Sequence, residues 1–407
     1  MQLVLPTAPA PPGRRIVVLS YGLGADSTAV LLRWLTDPYS RDFDLEDLVV
    51  VIAQTGDEWP ETGHLVEKYV LPLLRRHRIR TVQVARTART KTEAGGCHYT
   101  VIEDTRTPTR CHIEGVYRLS QEMLDSGTVP QTGGPRLCSI HAKGEVLDWW
   151  ISAYTQGRPY THVVGFELGE LGRRDTDMRL GKLPGRQPEY PLIDWGWWRA
   201  DAIAYLREQT GVTVWPKSAC TMCPYALDGP NRGDTVARLI AAPRLAMRPL
   251  LMEHTAVALN ERQGLIAGRR LAWELRSHPG GPGLLAAFAA HLDEQEWAVW
   301  EVRRALLRRA DGKTRAARSL TTIVRGGRQE MTAALERVSA RLGIDVERDG
   351  PHRRVHVARR QAAPSVEHAF VLAPATAQEK TSKPFAKMWM TALAEVDTVD
   401  RQKEIRL

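Results

Sequence analysis

The sequence has no uninterrupted apolar run near the ~18–20 residues that a membrane-spanning helix needs. Leu48 to Ala53 is short and is followed by polar residues. The first fifteen residues, rich in proline and ending Gly13-Arg14-Arg15, lack the basic-then-apolar order of a signal peptide. Cysteine is scarce and odd in number: five in 407 residues, namely Cys97, Cys111, Cys138, Cys220 and Cys223. That count excludes a disulfide scaffold in a chain of this size and favours metal or redox chemistry. Membrane, collagen and disordered classes fall away, and a cytoplasmic location is the expectation. With 43% hydrophobic and 25% charged residues, the chain has the profile of a soluble globular protein of two or three domains.

Acidic residues are also in deficit, by a formal charge of +9. The imbalance is local. Between Glu301 and Arg360 there are 16 Lys/Arg against 7 Asp/Glu, which accounts for the whole surplus. A concentrated basic stretch suits a phosphate-rich partner, and Arg353 and Arg354 are the candidate contacts to nucleic acid. A solvated, arginine-rich helical surface explains the same charge without a partner.

Residues 15–228 alternate short apolar runs with amphipathic stretches. Ile16 to Ser20, Leu48 to Ala53, Thr81 to Ala85 and Thr161 to Gly165 read as strands. Asp26 to Leu35, Glu61 to Arg76 and Arg199 to Gln209 read as helices. This order predicts an α/β domain with a parallel sheet and helices on both faces. Residues 86–136 are irregular and suit a lid or a substrate loop. From Gly229 the Arg/Ala/Leu-rich composition predicts a mainly helical basic region through residue 360, with a small hairpin turning at Asp349-Gly350. Residues 1–14 form a tail, and 361–407 carry no clear pattern.

Ser20-Tyr21-Gly22-Leu23-Gly24-Ala25-Asp26-Ser27-Thr28 stands between a buried strand and a helix. Glycines there let backbone amides and the helix start face an anion, and the Ser27 and Thr28 hydroxyls can donate to phosphate oxygens. A plain strand-to-helix turn with a good cap uses the same residues. No Gly-Lys-Ser/Thr follows, so this is not a P-loop, and Ser27 replaces the third glycine of a dinucleotide fingerprint.

The segment resembles the PP-loop of the ATP pyrophosphatase and sulfonucleotide reductase superfamily, whose pattern is Ser-x-Gly-x-Asp/Gln-Ser. Gln54-Thr55-Gly56-Asp57-Glu58-Trp59-Pro60-Glu61-Thr62 resembles that family's Asp-Thr-Gly-x-x-Phe-Pro-Glu-Thr, and Pro191-Leu192-Ile193-Asp194-Trp195 its Pro-Leu-x-Asp-Trp. Val164-Gly165 with Glu170, Arg173 and Arg174 is a looser match to Gly-x-Arg-x-x-Glu. The likeness spans residues 15–228 and implies an adenine nucleotide alpha hydrolase (HUP-type) fold that binds ATP with Mg²⁺. It implies ATP contacts at Ser20, Gly22, Gly24, Asp26, Ser27, Thr28 and Gln54. Two departures stand out: Gly22 replaces the first serine, and Ala25 occupies a position often held by lysine. Phosphate charge would then fall to Lys143, Arg173 or Arg174, and Asp57, after the second strand, becomes the candidate Mg²⁺ or substrate contact.

Cys220-Thr221-Met222-Cys223-Pro224 puts two thiols on one tight turn, with Cys138 82 residues upstream of Cys220. By resemblance to the iron–sulfur branch of the family, Cys138, Cys220 and Cys223 hold a [4Fe–4S] cluster, with Cys111, Cys97 or Ser139 at the fourth iron or that iron open. Cys138-x-x-His141 with Cys220-x-x-Cys223 also has the donor count of a zinc site, and free buried thiols need no metal. The sulfonucleotide reductases carry a Glu-Cys-Gly-x-His tail, whereas no cysteine follows Cys223 here. Adenylyl sulfate reduction is thereby disfavoured unless an external thiol serves. The expected activity is cleavage of ATP between its α and β phosphates, adenylylation of an acceptor, and sulfur insertion. The implied acceptor is nucleic acid, as in DNA phosphorothioation or tRNA thiolation, with a sulfur-donor protein such as a cysteine desulfurase as partner. A non-catalytic nucleotide- and nucleic-acid-binding subunit with structural zinc is the remaining alternative.

Overall fold

A computed structural model describes residues 9–86, 99–115, 118–130, 136–266 and 269–404, with 397–404 as backbone only. The chain divides into two compact units, residues 1–121 with 134–226, and residues 122–133 with 227–407.

The first unit is an α/β layer structure. Its strands are β1 (Val17–Ser20), β2 (Leu48–Gln54), β3 (Arg80–Arg86), β4 (Tyr99–Thr105), β5 (Tyr160–Val164) and β6 (Arg186–Glu189). They order as β4-β3-β2-β1-β5-β6, parallel throughout except for the antiparallel edge strand β4. Alternate residues of the central strands feed two cores. Val17, Leu19, Leu48, Val50 and Ile52 pack against helices Ala25–Thr36 and Arg199–Thr210. Val18, Val49 and Val51 pack against Val146, Trp150 and Ile151 of helix Glu145–Thr155. Both faces of these strands are covered, so they read as continuous β-branched runs.

The strand order reverses beside β1, because β2 and β3 lie on one side of it and β5 and β6 on the other. Such a reversal opens a crevice at the carboxyl ends of the strands. Residues 20–28 lie there. Gly165, just past β5, closes against this loop: a Cβ at that position would stand 2.9 Å from the Ser27 amide nitrogen. The stretch 86–136, irregular in its sequence pattern, contains β4 and the whole of helix Leu119–Ser126.

The second unit departs from the expectation of a mainly helical basic region. Helices Arg232–Ala241, Pro243–Leu259, Gly281–Asp293 and Arg328–Leu342 are present. However, residues 297–381 also build a six-stranded antiparallel sheet. Its strands are β7 (Trp297–Arg308), β8 (Thr314–Gly326), β9 (Glu347–Asp349), β10 (His352–Ala358), β11 (Ser365–Pro374) and β12 (Lys380–Thr381). The order is β12-β8-β7-β11-β10-β9. Arginine, alanine and leucine favour helix in isolation, but Trp297, Val299, Trp300 and Val302 are buried, and pairing with β8 and β11 overrides propensity. The expected hairpin at Asp349-Gly350 is present as β9 and β10. The patternless tail contains β11 and helix Phe385–Glu404. No helix among the described residues is long and apolar enough to cross a membrane.

Candidate functional site

The 20–28 loop leaves β1 and enters helix Ala25–Thr36 with Gly24 as its N-cap residue. Leu23, between two glycines and buried, adopts a left-handed backbone at φ 62°. A branched residue in that region costs about 1 kcal/mol or more and persists only where the surroundings impose it, as they do at many ligand loops. The Thr28 hydroxyl donates to the Gly24 carbonyl at 2.7 Å and lies 2.9 Å from the Tyr21 hydroxyl. Thr28 therefore holds the loop together rather than offering a donor to phosphate, contrary to expectation.

Ser20 differs. Its Oγ is 2.7 Å from His162 Nε2, while Arg186 Nε donates to His162 Nδ1 at 2.6 Å. Arg186 and Tyr190 both donate to Asp177. Since Nδ1 must accept from a guanidinium, Nε2 carries the ring proton and donates to Ser20. Ser20 is left with its own hydroxyl proton to give to a ligand in the pocket it lines. Burial, with Arg186 beside it, pushes the His162 pKa down to about 4, so the ring stays neutral at ordinary pH.

Asp26 receives an ion pair from Arg199. Burial pushes its carboxyl up to about 6 against the pull of Arg199, with Glu170 and Glu167 adding to the rise. Its Oδ1 is buried and has no hydrogen-bond partner among the described residues. An orphaned carboxylate oxygen at the start of a helix beside a glycine loop is a vacant acceptor for a ligand or cation. Arg173 and Arg174, expected at the phosphates, pair instead with Glu170 and Asp175 near the start of helix Leu171–Leu180. The cation that meets Asp26 is Arg199, which sequence reasoning missed, although it opens the helix following the Pro-Leu-x-Asp-Trp segment.

Lys143 occupies the centre. It lines one pocket with Ser20, Tyr21, Gly22, Gln54, Thr55 and Glu58. Its charge also acts on Cys138, Cys220 and Glu58, favouring the ionised form of each. Gln54 donates to Gln83 at 2.8 Å and to Cys111 Sγ at 3.7 Å, so its amide hydrogens are committed within the core.

Glu58, not singled out from sequence, fastens the thiol turn to the loop. It accepts from the Ala219 amide at 2.7 Å and the Ser218 hydroxyl at 3.0 Å, and Ser218 also reaches the Gly22 carbonyl at 2.8 Å. Asp57, expected at Mg²⁺ or substrate, is committed to the protein itself. Its carboxylate takes both the amide and the hydroxyl of Ser120, at 2.7 Å each, and its carbonyl accepts from Thr221. It anchors backbone on two sides, which leaves little of it for Mg²⁺.

Burial, with Cys223 close by, pushes the Cys138 thiol above its usual range. Cys220 is half-buried with its Sγ 3.3 Å from the Thr55 hydroxyl, and desolvation of the sulfur holds its thiol well above the usual range. Among the described residues these three sulfurs are not drawn within 4.8 Å of one another, so no single-ion zinc site is preformed. His141 turns its Nδ1 to Glu145 at 2.9 Å. Cys111, the candidate fourth ligand, is buried in the core, where burial raises its thiol to about 12 and the Gln54 amide donates to its sulfur. Cys97 lies outside the described residues.

Comparison with the models of known protein families, with curated proteins and with solved structures gave no match. The chemistry must therefore be read from the site itself.

Arg353 and Arg354, the expected nucleic-acid contacts, part company. Arg353 is half-exposed and bonds to the Gly350 carbonyl at 2.7 Å. Arg354 is buried and donates to the Val257 and Ala258 carbonyls at the end of helix Pro243–Leu259. It caps a helix and cannot face a phosphate. Much of the remaining charge is also answered locally, by pairs such as Arg304 with Glu367 and Arg328 with Asp293.

Proposed function

We propose that the chain is a PP-loop-type ATP pyrophosphatase that adenylylates an acceptor for sulfur insertion, with nucleic acid as the acceptor class. The observation that carries this reading is Lys143, whose charge reaches both the pocket of the 20–28 loop and the thiols of Cys138 and Cys220. One cation next to a phosphate-type loop and next to sulfur is what coupled activation and thiolation require. Lys143 also stands in for the lysine missing at Ala25.

In this reading the acceptor oxygen attacks the α phosphorus of ATP, the α–β bridge breaks, and pyrophosphate leaves with the electron pair. Ser20, polarised by His162, and Lys143 stabilise the charge that develops on the leaving oxygens. Asp26, paired with Arg199, would offer its Oδ1 as an oxygen ligand to the Mg²⁺ that accompanies ATP. Sulfide, released from the persulfide of a donor in trans such as a cysteine desulfurase by a thiol reductant, then attacks the activated acceptor atom, whose bond to the adenylyl oxygen breaks so that AMP leaves with the electron pair.

The donor set of three thiols beside a lysine fits a [4Fe–4S] cluster in kind, and Cys138, Cys220 and Cys223 would hold it. Such a cluster would supply an iron at which sulfur is held for transfer.

The test is a turnover assay on the full chain purified without oxygen, with α-labelled ATP, Mg²⁺, and DNA or RNA. AMP and pyrophosphate are the expected products, and Lys143→Met lowers their rate at least about 100-fold. Release of ADP and phosphate, or turnover unchanged in Lys143→Met, overturns the proposal.

A further inference from the structure

The second unit contains a side-chain cluster unrelated to the crevice of the first. Glu261, just after helix Pro243–Leu259, Glu347 on β9 and His356 on β10 each offer one donor atom, and these atoms all lie within 4.8 Å of one another. The sheet explains the convergence. Residues 352, 354 and 356 of β10 share one face, because side chains alternate along a strand. Arg354 docks that face on the end of the helix through the Val257 and Ala258 carbonyls. His356, two residues on, is thereby held beside the chain leaving the helix. Glu347 pairs with Arg354 across the β9–β10 ladder, which brings its carboxylate to the same spot.

His356 is the informative member. Its side chain is 7% exposed, yet neither ring nitrogen has a hydrogen-bond partner among the described residues. Glu347 Oε2 stands 3.6 Å from Nε2, beyond hydrogen-bond reach. Buried imidazole nitrogens are normally satisfied, and leaving one orphaned costs about 1–3 kcal/mol. Donors bound at ~2.0–2.2 Å to one ion stand roughly 3–4 Å apart, and 3.6 Å falls in that interval. We infer that Glu261, Glu347 and His356 form a binding site for a divalent transition-metal ion, which staples the edge hairpin β9–β10 to the exit of helix Pro243–Leu259.

One imidazole and two carboxylates suit manganese, iron(II), cobalt or zinc better than calcium or magnesium. Burial, with Arg359 nearby, lowers the His356 pKa, which favours the neutral ring that ligation uses. Arg359 also pairs with Glu347. Its own side chain is 60% exposed, so an incoming ion can displace it into water at little cost. Arg359 thus acts as the resident cation of the metal-free state.

The probe is Mn²⁺, which favours oxygen and imidazole over the thiols of the first unit. Titration of the full chain is followed by loss of the free-ion paramagnetic resonance signal, in wild type and in three variants. His356→Ala and Glu261→Gln are each expected to lose one site, or to weaken it at least tenfold. Arg359→Gln is expected to tighten it. Glu261 is exposed, so its variant keeps the fold and separates ligation from stability. Equal site number and affinity in wild type and Glu261→Gln overturns the site, whatever His356→Ala does. Unchanged affinity in Arg359→Gln overturns the competition with arginine.

Discussion

Glu58 and Ala219, 161 residues apart, are joined by a 2.7 Å hydrogen bond from the Ala219 amide to the Glu58 carboxylate. The carboxylate is buried, and burial raises its pKa against the pull of Lys143. Through it the end of β2, the 20–28 loop and the Cys220 turn become one assembly. Glu58→Gln retains an acceptor for Ala219, whereas Glu58→Ala leaves that amide unpaired. We expect Glu58→Ala to lose about 1–3 kcal/mol and ATP turnover together, and Glu58→Gln to keep most of the stability. Chemical denaturation alongside turnover measures both, and equal stability of Glu58→Ala and wild type would contradict the clasp.

His162 acts through Ser20. His162→Gln keeps an N–H for Ser20, while His162→Leu removes it. The expected outcome is a kcat near wild type for Gln and a fall of about 10-fold or more for Leu, with the nucleotide KM less affected. If both variants fall equally, the ring serves packing alone.

Asp26 gives a pH signature. Its carboxyl is held at about 6, so it ionises across the range where binding is readily measured. Mg²⁺–ATP affinity should rise with pH through about 6, and Asp26→Asn should be weak at every pH. The folded state holds this proton more tightly than the unfolded chain. Ionisation therefore costs stability as pH rises from about 4 through 6, and Asp26→Asn should not be less stable than wild type at pH 7. Calorimetric titration at pH 5 and 7.5 decides the first point, and melting curves the second.

Arg354 separates structure from partner binding. Its removal strands two carbonyls of helix Pro243–Leu259 in the interior, a loss of roughly 3 kcal/mol. Arg354→Glu should therefore unfold the second unit. Arg353→Glu should leave the fold intact and, if this edge meets nucleic acid, flatten the salt dependence of binding. Circular dichroism and binding at two salt concentrations tell the two apart.

Two buried histidines make the second unit acid-sensitive. His254 and His352 lie with ring centroids 4.6 Å apart and planes tilted by 36°, in the field of Arg270, Arg328 and Arg354. Burial lowers both pKa values, that of His254 to about 3. The unfolded chain then binds more protons, so stability is full above about 6.5 and is lost as pH falls towards 3. His352→Gln should flatten that slope, as followed by Tm against pH.

Sequence by itself determined the strands β1, β2, β3 and β5, the loop between β1 and its helix, and the two-cysteine turn. Each is a local signal: β-branched runs buried on both faces, glycines at a strand end, thiols at fixed spacing. Sequence could not assign β7 and β8, because arginine, alanine and leucine favour helix until neighbouring strands supply the pairing. Nor could it reveal partners separated by 142 or 173 residues, such as Ser20 with His162 or Asp26 with Arg199. The tertiary structure also decided the fate of like neighbours: Arg353 reaches the surface while Arg354 is buried, since adjacent residues of a strand point to opposite faces. Charge can be counted from the sequence, but which charges meet solvent depends on which face of the sheet is covered.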